Sequence, residues 1–331
     1  MKVLVTGAAG LLGSVLTPLL LEKGYQVKAL DNFYFKIDSL SEVRDNANLE
    51  VITEDTRRVT PSILEDVSVV VDLAAIAQPD SKGLIDAALY YDINSLAPIR
   101  VATLSKIKGV KRYIFASTCS VYGVQEAVVD EKSKSNPQDK YAETKAIVEE
   151  NILRLNDSNF HTTILRFATL YGYSPKMRFD LLLNGMTLSA FRDKKIMILG
   201  DGQQKRPIVH VRDAARAIVT VIEEGGDKVN GEIFNVGNND QNYTVKEVAE
   251  LVGNSVKGCT SEFYGDPDNR SYKVNFDKIS RILGFRTKYT PEDGTQEICA
   301  ALEKGRLTPQ DNHWVIKWWE KLSREGNLWG V

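Results

Sequence analysis

The sequence predicts an α/β fold, a doubly wound parallel sheet with a smaller C-terminal lobe, on three observations. Short β-branched runs recur at Lys2-Thr6, Gln26-Asp31, Leu49-Thr53, Val67-Leu73, Lys111-Ser117 and Thr162-Phe167, with helical stretches between most of them. Connections of that length favour parallel pairing through right-handed crossovers. After about Leu170 the alternation weakens, and Gly, Pro, Asp and Arg gather in LGDGQQKRP and YGDPDNR. We therefore expect a first domain over 1–169 and a smaller lobe over 170–206 and 238–331. Residues 207–237 should return to the first domain, because IVHVRDAARAIVTVIEE and EIFNVG read as a helix and a strand.

The totals narrow the function classes. A chain of 331 residues that is 43% hydrophobic has ample material for a core. Its 42 basic and 44 acidic residues nearly cancel, so no global field draws it to nucleic acid or anionic lipid, and any anion recognition must be local. Cys119, Cys259 and Cys299 are far apart and odd in number, which suits neither a disulfide framework nor a metal-ligand pattern. No metal is expected, and a reducing cytoplasm is the expected compartment. The start, Met1-Lys2 running directly into VLVTG, is too short for a signal segment, and no apolar run approaches a bilayer span, so the chain reads as soluble.

The first strand leads into VLVTGAAGLLGSVL, where Gly7, Gly10 and Gly13 stand three apart and open a helix. Such glycines permit a tight turn and a close approach of backbone to pyrophosphate, while the helix N-terminus supplies N–H groups and positive dipole. Gly7, Gly10, Leu11, Leu12 and Gly13 are thus candidate cofactor contacts. Pro18, inside that helix, should bend or loosen it. Gly24 closes the helix, QVKAL forms the second strand, and Asp31 stands at its tip with Asn32. A carboxylate there accepts both ribose hydroxyls of NAD and repels the 2′-phosphate of NADP, so NAD is the expected cofactor.

The strand over 111–117 ends in ASTCSVYG, a set of hydroxyls carried to the carboxyl edge of the sheet, where ligands of open α/β folds bind. In SNPQDKYAETKAIVEENILRL, Asn136 suits an N-cap and Pro137 the first helical position. Tyr141, Lys145, Val148, Ile152 and Leu155 then form one stripe. The stripe points Tyr141 and Lys145 inward, and an inward lysine needs a reason. Bringing a phenol from a pKa of about 10 to near 7 takes roughly 4 kcal/mol of preferential phenolate stabilisation. Lys145, protonated one turn away, and an oxidised nicotinamide ring can supply it together. With Thr118 hydrogen bonding at the substrate oxygen, Thr118, Tyr141 and Lys145 become the candidate catalytic set. Cys119 has no His near it in sequence and is expected to pack rather than react.

Together GAAGLLG, Asp31, LAA at 73–75, Asn94, STCSVYG and YAETK resemble the extended short-chain dehydrogenase/reductase family, Rossmann-type enzymes that include the nucleotide-sugar epimerases and dehydratases. The resemblance implies that Thr118, Tyr141 and Lys145 are the catalytic Ser/Thr, Tyr and Lys, with Tyr141 and Lys145 also touching the cofactor. It implies adenine contacts at Asp55 and Thr56, a cofactor wall at Leu73, Ala74 and Ala75, and a structural or cofactor-side Asn94. It further implies that Thr118 and Arg206 bind substrate, Arg206 on the nucleotide diphosphate, with Arg270 as a second phosphate ligand and Arg178 and Asn184 as a weaker pair. A homodimer is implied as well.

Within the family, sugar 4,6-dehydratases carry an Asp-Glu pair right after the catalytic Thr. Here those places hold Cys119 and Ser120, neither of which can remove water, so redox at C4 is favoured. The expected function is an NAD-dependent nucleotide-sugar 4-epimerase working through a transient 4-keto sugar. The alternatives are a C4 dehydrogenase or reductase with net NAD(H) turnover, then a 4,6-dehydratase or a dinucleotide-binding protein without chemistry. A steroid- or flavonoid-type reductase on the same scaffold would need an apolar substrate lobe, against the Arg-rich second half.

Overall fold

Strands that bury side chains on both faces need helices on both sides of their sheet, and this chain supplies them in alternation. The structure, a computed structural model, describes residues 1–77, 82–266 and 271–327. Its strands are β1 (Lys2–Thr6), β2 (Gln26–Asp31), β3 (Leu49–Thr53), β4 (Val69–Asp72), β5 (Arg112–Thr118), β6 (Val128–Val129), β7 (His161–Phe167), β8 (Thr169–Tyr171), β9 (Lys195–Leu199), β10 (Lys205–His210), β11 (Glu232–Val236), β12 (Asn242–Thr244), β13 (Thr260–Tyr264) and β14 (Lys273–Val274). The α-helices are α1 (Gly13–Glu22), α2 (Ala87–Tyr91), α3 (Ala97–Ile107), α4 (Lys140–Leu155), α5 (Leu182–Asp193), α6 (Val211–Glu224), α7 (Val245–Ser255), α8 (Asp277–Leu283), α9 (Pro291–Glu303) and α10 (Val315–Arg324).

Among the described residues, seven strands form one parallel sheet in the order β11-β7-β5-β4-β1-β2-β3. The order reverses between β1 and β4, whose last residues Thr6 and Asp72 are register partners. A doubly wound sheet opens a crevice at such a switch point, outside the carboxyl ends of the strands. One face is covered by α1, α6 and α8 through Leu16, Leu20, Ala214, Ile218 and Ile279. The other is covered by α3 and α4 through Val101, Ala102, Val148 and Ile152. A separate apolar cluster joins α5, α7 and α9 over β9 and β10, through Leu183, Met186, Val248, Val252, Ile298, Ile196, Ile198 and Ile208.

Two local expectations need correction. Ile208, Val209 and His210 finish β10 instead of starting a helix, and α6 begins only at Val211, where the His210 ring accepts from Arg212 N at 3.1 Å. The N-cap of α4 is Asp139, whose carboxylate accepts from Ala142 N at 2.9 Å. Asn136 is held outside the helix by its N–H bond to Val121 O at 2.8 Å. Pro18 lies within α1, yet the helix runs on to Glu22. Among the described residues, no helix is long and apolar enough to cross a membrane.

Candidate functional site

The crevice is a cavity of about 770 Å³ over the carboxyl ends of β1, β2, β4 and β5. At its floor the chain leaves β1 through Gly7, whose φ of +65° suits glycine and where a Cβ would meet Ala74 N at 2.8 Å. Gly13 is equally constrained, since a Cβ there would lie 2.2 Å from Gly7 O. The tight turn therefore leaves its backbone, together with Leu11 and Leu12, exposed to the cavity at the start of α1. Thr6, not singled out in the sequence, sets the facing wall. Its hydroxyl donates to Asp72 at 2.5 Å and accepts from Leu73 N and Ala74 N, both at 3.2 Å.

Asp31 stands at the end of β2, accepting from Ala9 N at 3.0 Å and Phe33 N at 2.8 Å. Burial raises its carboxyl pKa; those N–H groups and the nearby Lys176 ammonium pull it back. Asn32, Asp55, Thr56, Leu73, Ala74 and Ala75 also line the cavity. Burial works against the Asp55 charge, but Arg57, donating at 2.8 and 3.0 Å, holds that carboxyl below the usual range. The floor, the acid and the wall fit a dinucleotide: backbone N–H groups for phosphates, a carboxylate for a ribose diol, and an apolar wall for rings.

At the other end, Thr118, Tyr141 and Lys145 line the same cavity. Thr118 closes β5 and its hydroxyl accepts from Ser120 N at 3.1 Å. Lys145 is buried, donates to Ala116 O at 2.9 Å and sits 4.5 Å from the Phe115 ring centroid and 5.9 Å from that of Tyr141. Burial pulls its amine down to about 8, against the attraction of Asp72 and Glu149. Burial pushes the Tyr141 phenol up to about 12, and the cation that opposes this is Arg178. Lys145 is tied to the β5 backbone one helical turn from Tyr141, and the Arg178 guanidinium is a second cation acting on the phenol. Behind Lys145, Arg166 and Glu149 form a buried ion pair at 2.6 Å that also binds Ser117 and Tyr122, fixing α4 to β5 and β7.

The remaining expected residues divide. Arg206 lines the cavity from β10. Arg178 lines it too, its fork engaged by Asp180 at 2.5 and 3.2 Å and by Ala77 O at 2.9 Å. Asn94 and Asn184 stand behind the wall. Asn94 exchanges hydrogen bonds with the Ile76 backbone at 2.7 and 3.1 Å, and Asn184 links Gly172 N to Arg178 O at 2.9 and 3.1 Å. Both side chains are spent on loop backbone, so their contribution is to shape. Arg270 lies outside the described residues. Cys119 is fully buried, donates to Arg166 O at 3.2 Å, and burial drives its thiol far above the usual range. Ser120, Lys176, Tyr272, Val315 and Trp319 also line the cavity. Ser120 belongs to the hydroxyl run after β5 and Val315 and Trp319 to the apolar stripe of α10, but no sequence pattern ties α10, Lys176 or Tyr272 to this cavity.

The family profile described as "NAD dependent epimerase/dehydratase family" matches residues 3–237. The chain is 30% identical over 313 residues to an uncharacterized UDP-glucose epimerase, YtcB, of Bacillus subtilis, covering 90% of this chain and 97% of that protein. It is 28% identical over 286 residues to a UDP-N-acetyl-alpha-D-glucosaminuronate decarboxylase of Bacillus cytotoxicus, with 84% and 87% covered. The structure resembles that of a UDP-glucuronic acid 4-epimerase from Bacillus cereus in complex with UDP-glucuronic acid and NAD, with a TM-score of 0.82, 25% identity and 92% and 99% of the chains covered.

Proposed function

The chain belongs to the NAD dependent epimerase/dehydratase family and is an NAD-using enzyme, and from that premise we propose that it is a nucleotide-sugar 4-epimerase acting through a transient 4-keto sugar. The observation that carries the choice of reaction is the make-up of the reacting end. Among the described residues lining the cavity, the carboxylates are Asp31, Glu54, Asp55 and Asp180. The first three follow β2 and β3 at the end marked by Asp31, and Asp180 is bound to Arg178. Around Thr118 and Tyr141 stand the hydroxyls of Ser120 and Tyr272, 3.4 Å apart, and no acid–base pair for removing water. Such a site suits proton transfer at one alcohol, not elimination.

When bound, NAD supplies a hydride acceptor that returns the hydride, and its ring carries positive charge. The glycine turn would hold its pyrophosphate, Asp31 its adenosine ribose, and Lys145 its second ribose. Tyr141 takes the proton from the C4 hydroxyl and gives it back, Thr118 orients that oxygen, and Lys145 and Arg178 stabilise the phenolate. Arg206 reaches for the diphosphate of the substrate. The relatives that bind or are named for UDP-sugars make these the first substrates to try. A homodimer is part of the same reading, with Leu96 and Ile107, 62% and 72% exposed at the two ends of the α3 region, as candidate contacts; light scattering of the purified chain checks it.

The deciding experiment denatures purified protein, identifies the released nicotinamide nucleotide, and follows reduced-cofactor absorbance while UDP-, GDP- and dTDP-sugars are offered. Released NAD, a C4-inverted product and no net reduction support the epimerase. Stoichiometric reduction would instead mean a C4 dehydrogenase, release of carbon dioxide from a uronic acid a decarboxylase, and bound NAD without any turnover a non-catalytic relative.

A further inference from the structure

The loop that follows β8 reaches back to the glycine turn. Ser174 donates to Leu11 O at 2.8 Å, and its oxygen lies 2.9 Å from that of Ser14. Two residues on, Lys176 is only 2% exposed yet lines the cavity. Its ammonium donates to Asn312 O at 3.1 Å, makes a long contact with Met177 O at 3.5 Å and sits 3.8 Å from the Phe35 ring centroid. Burial pulls its amine down to about 7, Arg178 adds to that, Asp180 and Asp31 oppose it, and Arg178 in turn acts on Tyr141. Lys176 therefore stands between the ribose acid at one end of the cavity and the phenol at the other.

The segment that accepts from Lys176 also leads into α10. Asn312 donates to Phe35 O at 2.9 Å and Trp318 to Tyr34 O at 3.1 Å, which seats α10 on the loop after β2. Trp319 packs there in the cluster that includes Tyr34, Phe35, Ile76 and Val315. It is 1% exposed, lines the cavity, and its indole Nε1–H has no acceptor. A buried donor left unpaired costs about 1–3 kcal/mol, so such groups call for an explanation. A buried lysine that an anion would hold protonated and an orphan donor, both lining the cavity that the glycine turn floors, ask for an anion with several acceptor oxygens.

We propose that Lys176 and Trp319 form a second, independent wall of the dinucleotide site and donate to its pyrophosphate. The proposal rests on NAD being the cofactor, and it adds two ligands from outside the glycine-turn half of the chain. Its test is titration calorimetry of nucleotide-free protein with adenosine, ADP-ribose and NAD. Lys176→Met is expected to weaken NAD and ADP-ribose about tenfold or more, and Trp319→Phe about three- to tenfold, the loss of a charge-assisted and a neutral hydrogen bond. Adenosine, which lacks the pyrophosphate, should bind both variants as it binds the wild type, and Lys176→Arg should restore most of the affinity. Unchanged NAD and ADP-ribose affinity in Lys176→Met and Trp319→Phe overturns the proposal. So does an equal loss for adenosine, which would mark the two residues as merely structural. Wild-type protein that binds ADP-ribose but shows no nicotinamide dependence leaves the wall standing and overturns the cofactor reading. Trp319→Phe keeps an aromatic ring but loses indole volume along with the donor, so its adenosine affinity is the control that separates the two and decides the matter even where Lys176→Met fails to fold.

Discussion

At the scale of single residues, the chemistry turns on a phenol that burial holds protonated. From about 12, lowering the Tyr141 pKa to near 7 asks for on the order of 7 kcal/mol, more than a phenol in water would need. Lys145 and Arg178 are the resident cations placed to contribute. Tyr141→Phe is therefore expected to keep its NAD and lose about three orders of magnitude in turnover, measured as product formed per released nucleotide. Near-normal turnover would remove Tyr141 from its role. Arg178→Met should move the acid limb of the turnover pH profile, where the phenol must lose its proton, to higher pH, and a superimposable profile would show that the guanidinium does not act on the phenol. Asp31→Ala is expected to narrow the preference for NAD over NADP, read from the two dissociation constants; an unchanged ratio would exclude its ribose role. The glycine turn, Asp31, Tyr141 and Lys145 were legible because each belongs to a local pattern. Lys176, Tyr272 and Trp319 were not, because only tertiary packing brings them to the cavity. Asn94, read as structural or cofactor-side, takes a structural place on the Ile76 backbone, and Asn184, expected at the substrate, is likewise satisfied by loop backbone.

At the scale of elements, strands declared themselves better than helix starts. The runs over Lys2-Thr6, Gln26-Asp31 and Leu49-Thr53 coincide with β1, β2 and β3, because short β-branched runs between turn residues mark strands whether they are buried, as β1 is, or at the sheet edge, as β3 is. The start of α4 was misplaced because Asn136, Pro137 and Asp139 all suit a helix entry, and only the bond from Asn136 N to Val121 O decides among them. The segment leading into α10 carries its own pH sensitivity. His313 is buried, its Nδ1 accepts from Gln310 N at 3.0 Å, and its ring meets Phe179 edge-on. Burial, helped by the Lys176 ammonium, pulls its pKa from 6.5 to about 4, so the neutral ring belongs to the folded state. The corresponding stability is complete above the unfolded value and is lost as pH falls from 6.5 through 4, by on the order of 3 kcal/mol. Urea midpoints at pH 7 and pH 4.5 should therefore fall more in the wild type than in His313→Gln. Parallel falls would show that protonation of His313 does not load this segment.

At the scale of the molecule, the cavity draws on separate cores. Leu11 and Leu12 belong to the apolar cluster under α1, Met186 to the cluster of α5, α7 and α9, and Trp319 to the cluster beneath α10. A ligand that touches all three should stabilise the chain as a whole. NAD at a hundred times its dissociation constant adds about 2.7 kcal/mol. That is expected to raise the melting temperature by roughly 4 °C in a single calorimetric transition. A rise confined to one of two resolved transitions would mean that the cores melt independently and that NAD bridges nothing.

The distance along the chain between Gly7 and Trp319 sets the timetable of a newborn molecule. Gly7 therefore precedes Trp319 in synthesis by most of the described residues. On the reading proposed above, a newborn chain holds nucleotide loosely at its glycine turn until α10 has docked, and more firmly afterwards.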